Sequence, residues 1–194
     1  ISSCDREADF YELFAEQAEN PGVELLVRAQ HNRHIEESDM RLFEFISQQS
    51  PAGYAQVNIP KESSRTKKSK QKARPMRPAR QAKMTIRYAS VNIKPPQDYK
   101  EKPSLKINIV HAREENPPEG CEPVEWFILT TIELNGLIDA EQCLKWYCLR
   151  WRIEDWQRVL KSGCGIEKLR HQTAERLRRA IAINLVIGWR IMLM

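Results

Sequence analysis

Tyr147, Arg150, Glu154, Arg158 and Lys161 set one carboxylate among cations and a phenol, at spacings of three, four, four and three residues. At about 100° per residue these side chains fall within an arc of roughly 80° on a helix. Leu149, Ile153, Trp156 and Leu160 fill the neighbouring arc and are expected to face a core. An acid flanked by guanidinium and ammonium groups suits a divalent cation that must meet a phosphate. The carboxylate would hold the cation and the basic groups the phosphodiester. The same spacing also fits a solvated amphipathic helix with i,i+4 ion pairs such as Arg150–Glu154 and Glu154–Arg158.

A second candidate is Asp5-Arg6-Glu7-Ala8-Asp9, where the strand-like Ile1-Ser2-Ser3-Cys4 ends and a helix over about 7–18 begins. Ligands bind at such strand ends in open α/β sheets, and a carboxylate there takes a metal without being buried unpaired. Its alternative role is to cap the helix that follows.

The elements that must position these groups can be read along the chain. Asn20-Pro21-Gly22 ends the first helix, and residues 23–29 read as a strand followed by a polar loop and a short helix over 40–48. Alternating segments at 57–59, 84–88, 91–93 and 105–110 predict antiparallel strands, and 124–131 another strand. A long helix is expected from about Ile138 to Lys161, ended by Gly163 and Gly165, and a last helix over 173–193. Its apolar part, from Ala180, is too short for a membrane span and contains Arg190, which predicts a buried helix.

The 194 residues suit one domain, or one with an insertion; 41% apolar content can build a core and 29% charged residues argue for a soluble protein. The net charge of +5 is unevenly spread. Residues 61–83 hold ten Lys or Arg, including Lys67, Lys68, Lys70 and Lys72, against one Glu. The rest of the chain is therefore net acidic. With Pro75 and Pro78 and few large apolar residues, this run reads as a loop, suited to follow a phosphate backbone without reading sequence. Five scattered cysteines form no zinc spacing and no C-x-x-C pair, which favours a reduced cytosolic setting, with Cys143 and Cys148 as packing residues.

The spacing Tyr147-x2-Arg150-x3-Glu154-x6-Lys161 resembles the Y-R-E-K signature of bacterial cut-and-paste DDE transposases. Asp5-Arg6-Glu7-Ala8-Asp9 resembles the segment with that family's second catalytic aspartate. Trp126, 21 residues before Tyr147, matches the tryptophan on which the family stacks a flipped base, although a core aromatic on a strand would look the same.

The resemblance covers essentially the whole chain. It implies an α/β fold, the RNase H-like core of polynucleotidyl transferases, with an inserted antiparallel β subdomain. Residues 1–50 would be the second half of the core, 51–120 the insertion with the basic loop, and 121–194 the last strand and helices with the catalytic Glu. It makes Asp5 and Glu154 catalytic metal ligands for Mg²⁺, with Mn²⁺ as substitute. Tyr147, Arg150 and Lys161 become DNA contacts, Arg158 a further one, and Arg28 matches a basic position near the DNA. Gln30 stands where the family can have a lysine. The implied function is metal-dependent phosphodiester hydrolysis and strand transfer at transposon ends, within an insertion sequence. The implied partners are double-stranded DNA and, in a full-length protein, a second copy as a homodimer. No membrane partner is expected, and the expected location is the bacterial cytoplasm in association with the nucleoid.

The family's first aspartate has no counterpart here. Asp9, Asp39 and Asp139 do not precede Asp5 on a first core strand, so the chain reads as a fragment, inactive alone. Two rival functions remain on the sequence: a non-catalytic DNA-binding remnant or inhibitor derived from a transposase, and an RNase H-like nuclease without strand transfer.

Overall fold

The computed structural model describes residues 1–61 and 78–193. Among the described residues six strands form one sheet: β1 Ser2–Cys4, β2 Leu25–Arg28, β3 Gly53–Ile59, β4 Arg80–Ile93, β5 Leu105–Glu114 and β6 Glu125–Thr130, in the order β1-β2-β6-β5-β4-β3. Only β1 and β2 run parallel; every other neighbour is antiparallel. The helices are α1 Tyr11–Glu19, α2 Leu42–Gln48, α3 Leu137–Leu149, α4 Arg152–Arg158 and α5 Ala174–Leu193. The chain divides into two compact units, Ile1–Tyr147 and Cys148–Met194.

In the first unit both faces of the sheet are covered at β2, which is why that strand reads as the apolar run Leu25-Leu26-Val27 rather than as an alternation. One face buries Val27, Ile109 and Leu129 with Phe14 of α1 and Leu42 and Ile46 of α2. On the other, Tyr147 of α3 packs edge-on against Trp126 of β6, and the Cys143 thiol bonds to Thr130.

The strands within residues 51–120 continue the same sheet through β5 and β6. What reads as two strands at 84–88 and 91–93 is one 14-residue strand, because the β4–β5 ladder runs unbroken through Ala89 and Ser90. These small, partly exposed residues interrupt the apolar alternation without interrupting the backbone pairing.

Three helix expectations need correction. The first helix begins at Tyr11, after a separate 3₁₀ turn at Arg6–Ala8, since Phe10 is extended at φ −125° and ψ 146°. Tyr11 and Phe14 are buried and Phe10 is exposed. The long helix is interrupted at Arg150–Trp151, where Ile153 and Glu154 bond back three residues to Arg150 and Trp151. After α4 the chain widens into a π turn, Val159–Gly163, closed by Cys164 N–H donating to Val159 C=O. The last helix is largely exposed rather than buried. Ile183, Val186, Ile187 and Ile191 lie on the surface, and Gly188 is its only buried position among the described residues, against Leu160 and Trp156. Among the described residues, no helix is long and apolar enough to cross a membrane.

Candidate functional site

In the parallel β1–β2 ladder Cys4 pairs with Val27, so the next residues, Asp5 just past β1 and Arg28 at the last position of β2, stand at the C-terminal ends of adjacent strands. This is the edge where open α/β sheets hold ligands. Asp5 is exposed, and its Oδ1 accepts from the Arg6 N–H at 2.9 Å. Its backbone C=O accepts from Ala8 N–H at 3.0 Å, so Asp5 starts the 3₁₀ turn. The capping role is therefore observed, at a one-turn element rather than at α1. Arg28 is half-buried and pairs across the sheet with Ile128.

The turn that Asp5 begins ends on Asp9, which is 2% exposed. Asp9 Oδ2 accepts from the backbone N–H groups of Gln30, at 2.6 Å, and His31, at 2.8 Å. Its Oδ1 accepts from the Arg33 guanidinium, which also donates to the Asp9 C=O at 3.1 Å. On the sequence Asp9 is set aside as a counterpart of the family's first aspartate, and this network is not disclosed. Nothing in the spacing ties Asp9 to a polar loop more than twenty residues later. The only available signal is an acid placed where the chain turns from strand to helix.

Trp126 and Tyr147 are 3% and 1% exposed, with ring centroids 5.6 Å apart at 66°. Both belong to the packed interior of the first unit.

The second unit carries Arg150, Glu154, Arg158 and Lys161, distributed over the Arg150–Trp151 break, α4 and the π turn instead of one continuous helix. Arg150 pairs with Glu154 at 3.3 Å, Arg158 with Asp155 at 3.1 Å, and Lys161 with Glu167 at 3.2 Å. The Glu154 side chain is 59% exposed. Of the residues expected to face a core, Leu160 is buried, while Leu149 and Ile153 are exposed. The helical break and the π turn rotate the stripe away from the single register that the spacing suggests.

Lys67, Lys68, Lys70 and Lys72 lie outside the described residues. At the end of the basic run, Arg80 makes a bidentate bond to buried Glu114, 2.7 Å on each arm, and Lys83 pairs with Glu115 at 2.9 Å. These two cations belong to β4 and satisfy neighbouring acids of the β5 end.

Asp5 and Glu154 are exposed all-oxygen donors, which suit a hard divalent cation in kind. Among the described residues no group of three or more His, Cys, Asp or Glu side chains stands close enough together to hold one.

The family described as the transposase DDE domain matches residues 3–187. The chain belongs to that family.

Proposed function

We propose that this member of the transposase DDE-domain family contributes the phosphodiester-cutting and strand-transfer chemistry of a DNA transposase acting at transposon ends. The observation that carries the reading is the register of β1 and β2. It brings an exposed carboxylate, Asp5, and a guanidinium, Arg28, to adjacent strand ends in a chain that matches the family from residue 3 onward. Such an edge can receive a phosphate and the cation that accompanies it. In this reading the sheet is an RNase H-like core of the bacterial cut-and-paste type, and residues 51–120 are its insertion.

In this reading Asp5 and Glu154, each taken within its own unit, are the carboxylates offered to Mg²⁺. A bound divalent ion would polarise the phosphoryl oxygen and lower the pKa of the attacking water or hydroxyl. The protein's own groups supply position and charge. Arg28, Arg150, Arg158 and Lys161 would donate to phosphate oxygens as the negative charge grows, the last three exchanging their present carboxylate partners for the substrate. For Arg158–Asp155 and Lys161–Glu167, with all four side chains more than half exposed, the exchange is inexpensive, because such pairs are worth only about 0.2–1 kcal/mol each. A stacking role for Trp126 would require its indole to leave the Tyr147 ring and meet a flipped base, whose stacking would offset part of the few-kcal/mol unstacking cost.

Within these 194 residues the carboxylate set counts two members, so they alone are expected to bind a terminal-repeat duplex without nicking it. Robust Mg²⁺- or Mn²⁺-dependent cleavage by these residues would overturn the two-acid assignment. A second experiment addresses the basic run. Replacing Lys67, Lys68, Lys70 and Lys72 by Gln should reduce the slope of log affinity against log salt by up to about 3–4, roughly 0.9 for each phosphate no longer neutralised. An unchanged slope would show that those lysines do not touch the DNA.

A further inference from the structure

The 3₁₀ turn between Asp5 and Asp9 joins an exposed acid to a buried one. At one end Asp5 caps the turn through Arg6 N–H. At the other, Asp9 N–H donates to Arg6 C=O at 3.1 Å, and the Asp9 side chain reaches the loop that leaves β2. The first of that loop's donors, Gln30, is two residues after Arg28. The Asp9 carboxylate is 0% exposed and the Arg33 side chain 10%. A buried ion pair that also satisfies two backbone N–H groups has one workable geometry, because each unsatisfied donor would be costly.

We propose that Asp9 and Arg33 are a positioning pair: they tie the exit of β1 to the exit of β2 and so hold Asp5 and Arg28 as one rigid edge for a phosphodiester. The inference deepens the proposed function and rests on it only for the purpose of the edge. The tie itself is a property of the free protein. Buried outer-shell partners of this kind commonly change metal affinity by 10–100-fold when they are altered. The mechanical reason here is short: three residues of 3₁₀ turn separate the two aspartates, so loosening Asp9 releases the turn that Asp5 caps.

Two measurements on Asp9→Asn and Arg33→Gln test the pair against a core control, Ile46→Val, a fully buried position of α2. The first is amide hydrogen exchange at Arg6, Ala8, Gln30 and His31 without metal. Exchange there should rise at least tenfold in both pair variants and stay near the parent rate in the control. Unchanged exchange at Arg6 and Ala8 overturns the proposal. The second is Mn²⁺ affinity by electron paramagnetic resonance, with Asp5→Asn as reference. A tenfold or greater loss in Asp9→Asn, with little change in Ile46→Val, extends the tie to ligand binding. Should Asp5→Asn leave Mn²⁺ binding unaffected, the reading of Asp5 as a ligand fails, and the tie is still decided by the exchange rates.

Discussion

Two arginine–carboxylate pairs of identical chemistry sit in contrasting surroundings. Arg80 and Glu114 meet through two 2.7 Å bonds with side chains 10% and 2% exposed, and Glu114 also accepts from Val124 N–H at 3.0 Å. Arg150 and Glu154 meet through one 3.3 Å bond, with Glu154 more than half exposed. The first pair is sealed between strands and fixed in geometry. In the second only the carboxylate is open to solvent, since the Arg150 side chain is itself 14% exposed. Burial, rather than residue type, separates acids fixed inside the fold from acids that face solvent, and Asp9 and Asp5 repeat the contrast within five residues.

The strongest challenge to this contrast is Glu114→Ala. It strands a buried guanidinium and one backbone donor, so the loss of unfolding free energy should be about 3–5 kcal/mol, read by denaturant titration. A loss below about 1 kcal/mol would show that the pair is better hydrated than its exposure suggests. Glu154→Gln sharpens the other side: unfolding free energy should move by no more than about 0.5 kcal/mol, while Mn²⁺ binding weakens. A large destabilisation there would make Glu154 a structural acid.

The smallest effect is expected from pH. Burial pushes the His111 imidazole below its ordinary value of 6.5, the adjacent Glu125 carboxylate pulls it upward, and Arg87 and Arg113 push it down. Its Nε2 lies 2.8 Å from Glu125 Oε1. Because the folded value is the lower one, the unfolded chain takes up the proton first on acidification. The stability contributed by neutral His111 is therefore complete above pH 6.5 and lost as pH falls through the folded value. Melting temperature should fall between about pH 7.5 and 5.5, with a shallower slope in His111→Gln. Equal slopes would assign the change to other groups.

Apolar runs made the core strands legible, since β2 and β6 are buried on both faces and have little polar alternation to hide them. Asp5 was legible through the resemblance of Asp5-Arg6-Glu7-Ala8-Asp9 to a family segment, since β1 itself is the short, half-buried Ser2-Ser3-Cys4. The break at Arg150–Trp151 was not, because it contains neither Gly nor Pro and the apolar spacing runs straight through it. The Asp9–Arg33 tie was hidden for a different reason: it is a bond across 24 residues that only the parallel pairing of β1 with β2 brings about. The exposure of α5 was also illegible, since its composition is that of a core helix.

Cys143 and Cys148 lie five residues apart on α3, one in each compact unit, and burial pushes both thiols up to about 11. At neutral pH neither is appreciably a thiolate, so each would be alkylated chiefly when its surroundings open. The helix thus carries two built-in clocks. Their labelling rates would time the breathing of the sheet unit and of the helical unit separately in a single sample.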